Sequence, residues 1–261
     1  MMEGTGVERQ ASKARAAVDP EEVARFGALA ADWWDPNGPM APLHRQGPAR
    51  LAFLRESLTP LTKATGTEIK PFANLAILDI GCGGGLVSEP LARLGATVTA
   101  IDASGETLAA ARAHAEEAGL AIDFRQTTAE ALLADGAQFD AAVSLEVIEH
   151  VPDPAAFVAA AAALIRPGGR LALSTLNRTA KSFAMAIVGA EYLLRILPRG
   201  THSWRRFVKP SELGRMLRDA GLEVTAASGI VYSPLDRGWR LSKHDLDINY
   251  ILVGAKPPSP G

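Results

Sequence analysis

Between residues 75 and 175, short apolar runs rich in β-branched residues alternate with longer alanine-rich stretches of helical spacing. The runs are LAILDI (75–80), ATVTAI (96–101), LAIDFR (120–125), FDAAVSL (139–145) and RLALST (170–175). Between them, LVSEPLARLG, GETLAAARAHAEEAG and PAAFVAAAAALIRPGG carry the helix period. Strand, helix, strand at this rhythm requires right-handed crossovers, so it predicts a doubly wound α/β fold around a parallel sheet. Upstream, residues 21–34 place Val23, Phe26, Leu29, Ala30 and Trp33 on one face of an amphipathic helix. A second helix is expected over residues 47–58, with Pro48 at a first helical position. Downstream, residues 176–209 combine an apolar helical stretch with a basic loop and read as an insertion over the sheet. SELGRMLRDAG then resumes the helix pattern, and two last strands are expected near LEVTAAS and INYILVGAKP.

Composition narrows the class. In 261 residues, 48% are hydrophobic and 21% charged, the balance of a globular protein that can bury a large core. We expect one domain over residues 19–258 behind an unstructured tail at 1–18, whose mixed charges lack the apolar core of a signal peptide. The net charge of -2 supplies no field to hold a polyanion, which argues against nucleic acid as a partner. Cys82 is the single cysteine, so no internal disulfide can form and a cytoplasmic location is expected. Its simplest role is a small buried side chain.

The chemistry starts at LDIGCGGG, which sets Gly81, Gly83, Gly84 and Gly85 between a strand and a helix. Glycines there let the backbone turn tightly and approach a ligand. About twenty residues on, the second strand ends in Asp102, where a carboxylate can accept both hydroxyls of a ribose. The nicotinamide fingerprint requires a glycine where Leu86 stands, so the loop favours a nucleoside cofactor without phosphates.

ILDIGCGGG, VTAIDAS, FDAAVSLEVIEHVPDP and LIRPGGRLALSTLNR, in this order, resemble the class I S-adenosylmethionine-dependent methyltransferases. The flanking VDPEEVARFGALAADWWDPNGPMAPLHRQGPAR, the stretch from STLNR to KPSEL and the closing DINYILVGA are similar to the O-methyltransferases of ubiquinone biosynthesis. The linker at 59–74 looks longer than in many members, at a place where insertions are tolerated. The resemblance implies a Rossmann-like, mostly parallel seven-stranded sheet with N-terminal helices and a helical insertion. It implies S-adenosylmethionine as cofactor, with Arg50 at the methionine carboxylate, Gly81 and Gly83 lining the cofactor, Asp102 on the ribose and Leu145 against the adenosine. The implied substrates are a polyprenyl-catechol and a demethylubiquinol. The rivals are a methyltransferase for another hydrophobic catechol and a non-catalytic lipid- or quinone-binding pathway component.

A phenol of pKa about 10 must lose its proton before it accepts a methyl group. Glu146, Glu149 and His150 follow the fourth strand at the edge where doubly wound proteins bind ligands, and one helical turn there would gather them. Two expectations follow. The trio holds magnesium or another divalent metal that lowers the phenol pKa, or His150 acts as general base, with His202 and Glu149 as further candidates. The apolar stretch 183–197, with Tyr192 near its end, and the basic cluster of Arg195, Arg199, Arg205, Arg206 and Lys209 fit peripheral contact with anionic lipid at the inner face of the membrane. Other ubiquinone-pathway proteins are candidate partners.

Overall fold

The computed structural model describes residues 18–62, 68–185 and 203–259. The expected tail at 1–18 falls outside them up to residue 17. So do much of the apolar stretch, including Tyr192, Arg195 and Arg199, and the candidate His202.

The five expected strands form as β1 (Ala76–Ile80), β2 (Thr97–Asp102), β3 (Asp123–Gln126), β4 (Phe139–Leu145) and β5 (Ile165–Leu176). They pair in parallel in the order β3-β2-β1-β4-β5. Between β1 and β4 the direction of winding reverses, and the crevice at that switch point opens beyond the strands' carboxyl ends. The last strands, β6 (Glu223–Ser233) and β8 (Asn249–Ala255), join antiparallel beside β5. An eighth strand, β7 (Gly238–Ser242), pairs with β6 at the sheet edge where seven strands were expected. Its GWRLS run alternates but is only five residues long beside a polar turn, too short to announce a strand by itself; pairing with β6 supplies it.

The sheet is buried on both faces. Ile77, Val98 and Ala100 point to one side, Leu78, Ile80 and Ile101 to the other. Among the described residues the helices of six residues or more are α1 (Pro20–Gly27), α2 (Ala41–Leu58), α3 (Ser88–Arg93), α4 (Gly105–Glu117), α5 (Ala129–Ala134), α6 (Pro154–Ala163) and α7 (Pro210–Asp219). Asp19 caps α1 by accepting from Glu21 N–H, and Ser104 caps α4 through Thr107 N–H.

Two helix boundaries differ from expectation. The first helix stops at Gly27 and the chain continues through a 3-10 turn at Ala30–Asp32. The second begins at Ala41, with Pro48 inside it. Pro48 removes one hydrogen bond to the carbonyl four residues back, and burial of Gln46, Ala49, Arg50, Phe53 and Leu54 outweighs that loss. Among the described residues no helix is long and apolar enough to cross a membrane.

Candidate active site

A cleft of about 1890 Å³ runs along the carboxyl ends of β1, β2 and β4, and α1 and α2 wall its other side. Gly81, Gly83, Asp102, Arg50, Leu145, Glu146, Glu149 and His150 all line it, which covers every site residue expected from the sequence except His202.

The loop after β1 is bonded to the end of β2, since Gly81 N–H and Cys82 N–H both donate to Ile101 O. Gly81 (φ 72°) and Gly83 (φ 53°) are left-handed, a region open to glycine at little cost. A Cβ at Gly81 would lie 2.5 Å from Val147 and one at Gly83 2.1 Å from the Trp33 ring. Asp102 Oδ2 accepts from Gly83 N–H at 2.9 Å and Oδ1 from Ser104 N–H at 2.9 Å. Burial pushes this carboxyl up, and those backbone donors work against the shift. Cys82 is buried and its thiol is pushed up by burial, in keeping with a packing role.

Beneath the loop, Asp79 is fully enclosed. Its carboxyl is pushed up to about 7 by burial, with the Asp102 charge adding and the Ser88 hydroxyl, donating at 2.6 Å, opposing. The native state therefore holds this proton more tightly than the unfolded chain does. The associated stability is fully present below the ordinary carboxylate pKa of about 4 and is lost as pH rises through about 7. Three pKa units correspond to about 4 kcal/mol at most. Urea unfolding at pH 5 and pH 8 should show a stability loss at the higher pH that Asp79→Asn reduces; an identical loss in the variant would place the effect elsewhere, Glu149 being the next buried acid.

Arg50, buried in α2, places Nη2 3.0 Å from Glu146 Oε1, while neither its Nε–H nor its Nη2–H makes a hydrogen bond. A buried guanidinium that is paired with Glu146 and keeps its Nε–H without an acceptor, beside the glycine loop, suits an anionic ligand group. Glu146 has φ 59°, an uncommon state for a non-glycine residue. Its Oε1 also accepts from Ser174 Oγ–H at 2.8 Å and Asn249 Nδ2–H at 3.0 Å.

The trio does not converge as its spacing suggests. Only Ile148–His150 forms a turn, of 3-10 type, and the left-handed Glu146 stands outside it. Glu149 instead accepts from Thr175 Oγ1–H at 2.9 Å, and its Oε1 is buried without a partner. Burial, together with the Glu146 charge, pushes the Glu149 carboxyl up to about 7. His150 Nδ1 meets Glu22 Oε2 at 3.0 Å. Among the described residues no three His, Cys, Asp or Glu side chains group as a metal site.

Sequence reasoning missed what α1 and the chain after it contribute. Phe26 meets the His150 ring edge-on at 5.2 Å. Trp33 packs on Gly83 and Gly84, and its buried indole N–H has no acceptor. Trp34 donates to Gly84 O at 2.9 Å and stacks on His114 at 3.4 Å. The amphipathic pattern at 21–34 announced a packed face; the doubled tryptophan just before a polar turn was the available signal for a role at the loop.

The chain is similar to known proteins in sequence and in fold. Residues 78–173 match a methyltransferase domain family. The ubiquinone biosynthesis O-methyltransferase of Dinoroseobacter shibae is 52% identical over 243 residues, covering 92% of this chain and 97% of its own. That of Methylocella silvestris is 52% identical over 245 residues, covering 92% and 95%. Among solved structures, magnesium protoporphyrin IX methyltransferase from Synechocystis PCC 6803 with bound SAH aligns with a TM-score of 0.58 at 22% identity, over 82% of this chain and 83% of that one. The cyclase SpnF aligns almost as well, with a TM-score of 0.57 at 22% identity over 81% of both chains. The fold alone therefore does not choose a reaction. Identity near one half along almost the whole length does choose a family, and this chain belongs to the ubiquinone biosynthesis O-methyltransferases.

Proposed function

We propose that the protein transfers a methyl group from S-adenosylmethionine to a phenolic hydroxyl of polyprenyl-catechol and demethylubiquinol intermediates in ubiquinone biosynthesis. The observation that carries this reading is one cleft joining a glycine cradle with Asp102, a buried Arg50 whose Nε–H has no acceptor, and a His150 turn at the end of β4. Both Gly81 and Gly83 line the cleft, and their left-handed backbone, which glycine adopts at little cost, keeps that part of the loop free of side chains. Asp102 would take the ribose, Arg50 the methionine carboxylate, and Leu145 the adenosine. When bound, S-adenosylmethionine supplies a methyl group on a positively charged sulfur, which keeps the C–S electron pair as the new O–C bond forms. The protein's part is to align the phenol with that carbon and remove its proton, and His150 is the base that receives it.

Glu149 Oε1 fits a divalent cation because it is buried without a partner. Such an ion would supply Lewis acidity that lowers the phenol pKa. Glu146 and His150 would have to leave Arg50 and Glu22 to join it.

The apolar part of the cleft suits a greasy substituent. Met185, Tyr232, Pro234, Trp239 and Ile248 line it, and Tyr232 and Trp239 pack at 5.8 Å across the β6–β7 pair. Contact with anionic lipid would deliver such a substrate. Because Arg206 is engaged by Asp19 and Glu22, the lipid test belongs to Arg205 and Lys209. Their replacement by Glu should reduce co-sedimentation with anionic vesicles, and unchanged binding would remove this patch from the membrane role.

The deciding experiment follows label from S-adenosylmethionine into a short-chain polyprenyl-catechol, with chelator and with magnesium restored. Turnover indifferent to chelator supports His150 as base; turnover lost to chelator and restored by metal supports the cation. No turnover with any catechol, while cofactor binds, overturns the substrate.

A further inference from the structure

The strand pairings carry one edge of the sheet beyond the rest. The β6–β8 ladder ends at Gly229 opposite Tyr250, while the β6–β7 ladder runs on to Ser233 opposite Gly238. Beyond Gly229, β6 and β7 therefore form a two-stranded arm, a unit that is marginal in water unless one face is covered. Directly opposed residues share a face, and the register opposes Ile230 to Leu241 and Tyr232 to Trp239. One face of the arm is thus an apolar ladder of two rungs. Its inner rung is packed, since Ile230 is 1% exposed and Leu241 lies against the core that holds Phe53 and Leu54 of α2. Its outer rung is half open. Tyr232 is 52% exposed, and its ring meets Trp239 at 5.8 Å with planes at 64°. Both rings line the cleft that Leu145 and His150 also line. Past them the tip carries Leu235 at 95% exposure, in a turn tied by Ser233 Oγ–H donating to Asp236 at 2.8 Å. Apolar side chains thus run from the packed root of the arm, along the cleft, to its open tip.

We propose that this face of the β6–β7 arm seats the substrate's hydrocarbon tail, with the Tyr232–Trp239 rung gripping the first isoprene units and Leu235 marking where the chain leaves the protein. The inference rests on the proposed polyprenyl substrate and names the part of the cleft that selects it. A polyprenyl chain brings neither charge nor hydrogen-bond donor, so its recognition must come from burial of apolar area. A half-exposed aromatic pair still has such area to bury, and aromatic rings offer much of it at little loss of side-chain freedom. From Ile230 to Ser233 a strand advances about 10 Å, room for roughly two isoprene units. Contacts to the tail are alike before and during methyl transfer, so they lower Kd and KM and leave kcat unaltered.

The test is calorimetry of the full chain, loaded with S-adenosylhomocysteine, against dimethoxybenzenes that carry one, two or three isoprene units and have no hydroxyl to methylate. Kd should fall about tenfold from one unit to two, and by less than about threefold from two to three, where the chain passes the tip. Tyr232→Thr and Trp239→Thr each keep a strand-forming residue and should flatten the first step to within about threefold. Arg240→Thr, one residue along β7 and so on the opposite face of the arm, should keep the step. A wild-type protein without the step overturns the proposal, as does a step that survives in both ring variants. Loss of the step in Arg240→Thr as well overturns it, because a disordered arm would then explain every loss. Trp239→Thr that keeps the step but no longer co-sediments with lipid vesicles assigns the face to lipid and overturns the tail seat. Turnover of the matching catechols is read separately: its complete absence sinks the substrate proposed above, while the Kd steps still decide the arm.

Discussion

Replacing His150 with Gln should lower kcat for catechol methylation by about 100- to 10,000-fold, the range that a positioned general base contributes. Affinity for S-adenosylhomocysteine should stay within about threefold, because the cradle is built from the β1 and β2 ends, where Asp102 accepts from Gly83 N–H and Ser104 N–H. The reason for so large an effect is the phenol. A hydroxyl of pKa about 10 is only about one part in a thousand ionised at pH 7, and a sulfonium donor needs no acid for its leaving group. Proton removal is thus the barrier that the protein must lower. Glutamine keeps roughly the size of the side chain and can still hydrogen-bond Glu22, so packing around Phe26 is largely preserved. Rapid-quench measurement of a single turnover, beside calorimetric titration of cofactor, separates the two quantities. Retained activity in His150→Gln, with inhibition by chelator, would transfer deprotonation to a cation at Glu149.

Asp102→Asn should weaken S-adenosylhomocysteine binding by about 100-fold while leaving the circular dichroism spectrum in place. Hydrogen bonds to a charged acceptor contribute about 1.5–3 kcal/mol each, and every 1.4 kcal/mol is about tenfold in affinity; two ribose hydroxyls therefore account for that loss. The variant also turns one accepting oxygen into a donor. That donor must face either Gly83 N–H or Ser104 N–H, both of which now donate to Asp102, so the loop loses part of its support at the same time. Titration of Asp102→Asn beside Asp102→Ala distinguishes the two causes: equal losses point to the missing ribose acceptor, and a larger loss in Asn points to the distorted loop. Binding within threefold of wild type in both would remove Asp102 from the cofactor site.

The candidate site was legible unevenly. Gly81, Gly83 and Asp102 could be read because each stands at a strand end that the hydrophobic pattern locates to within a residue or two, and the parallel order puts those ends side by side. Arg50 was placed only by resemblance; its burial and its unsatisfied donors are properties of α2 packed on the sheet. The trio after β4 was misjudged for a local reason. A helical turn would have aligned Glu146 with Glu149 and His150, but Glu146 takes a left-handed conformation that its contacts to Arg50, Ser174 and Asn249 support.

What the sequence determined by itself was the class of fold, the glycine loop, the acid that follows it and the edge of the sheet along which the cleft opens. These depend on the periodicity of neighbouring residues and on glycines whose backbone states are set locally. Only the tertiary structure decided which side chains meet across the cleft: Glu22 and Phe26 on His150, Trp33 on Gly83, Arg50 beside Glu146, and the β7 strand that brings Trp239 to the apolar wall. Contacts between residues far apart in sequence leave no periodic trace in the chain, because they form only when the burial of many separate faces brings the elements together.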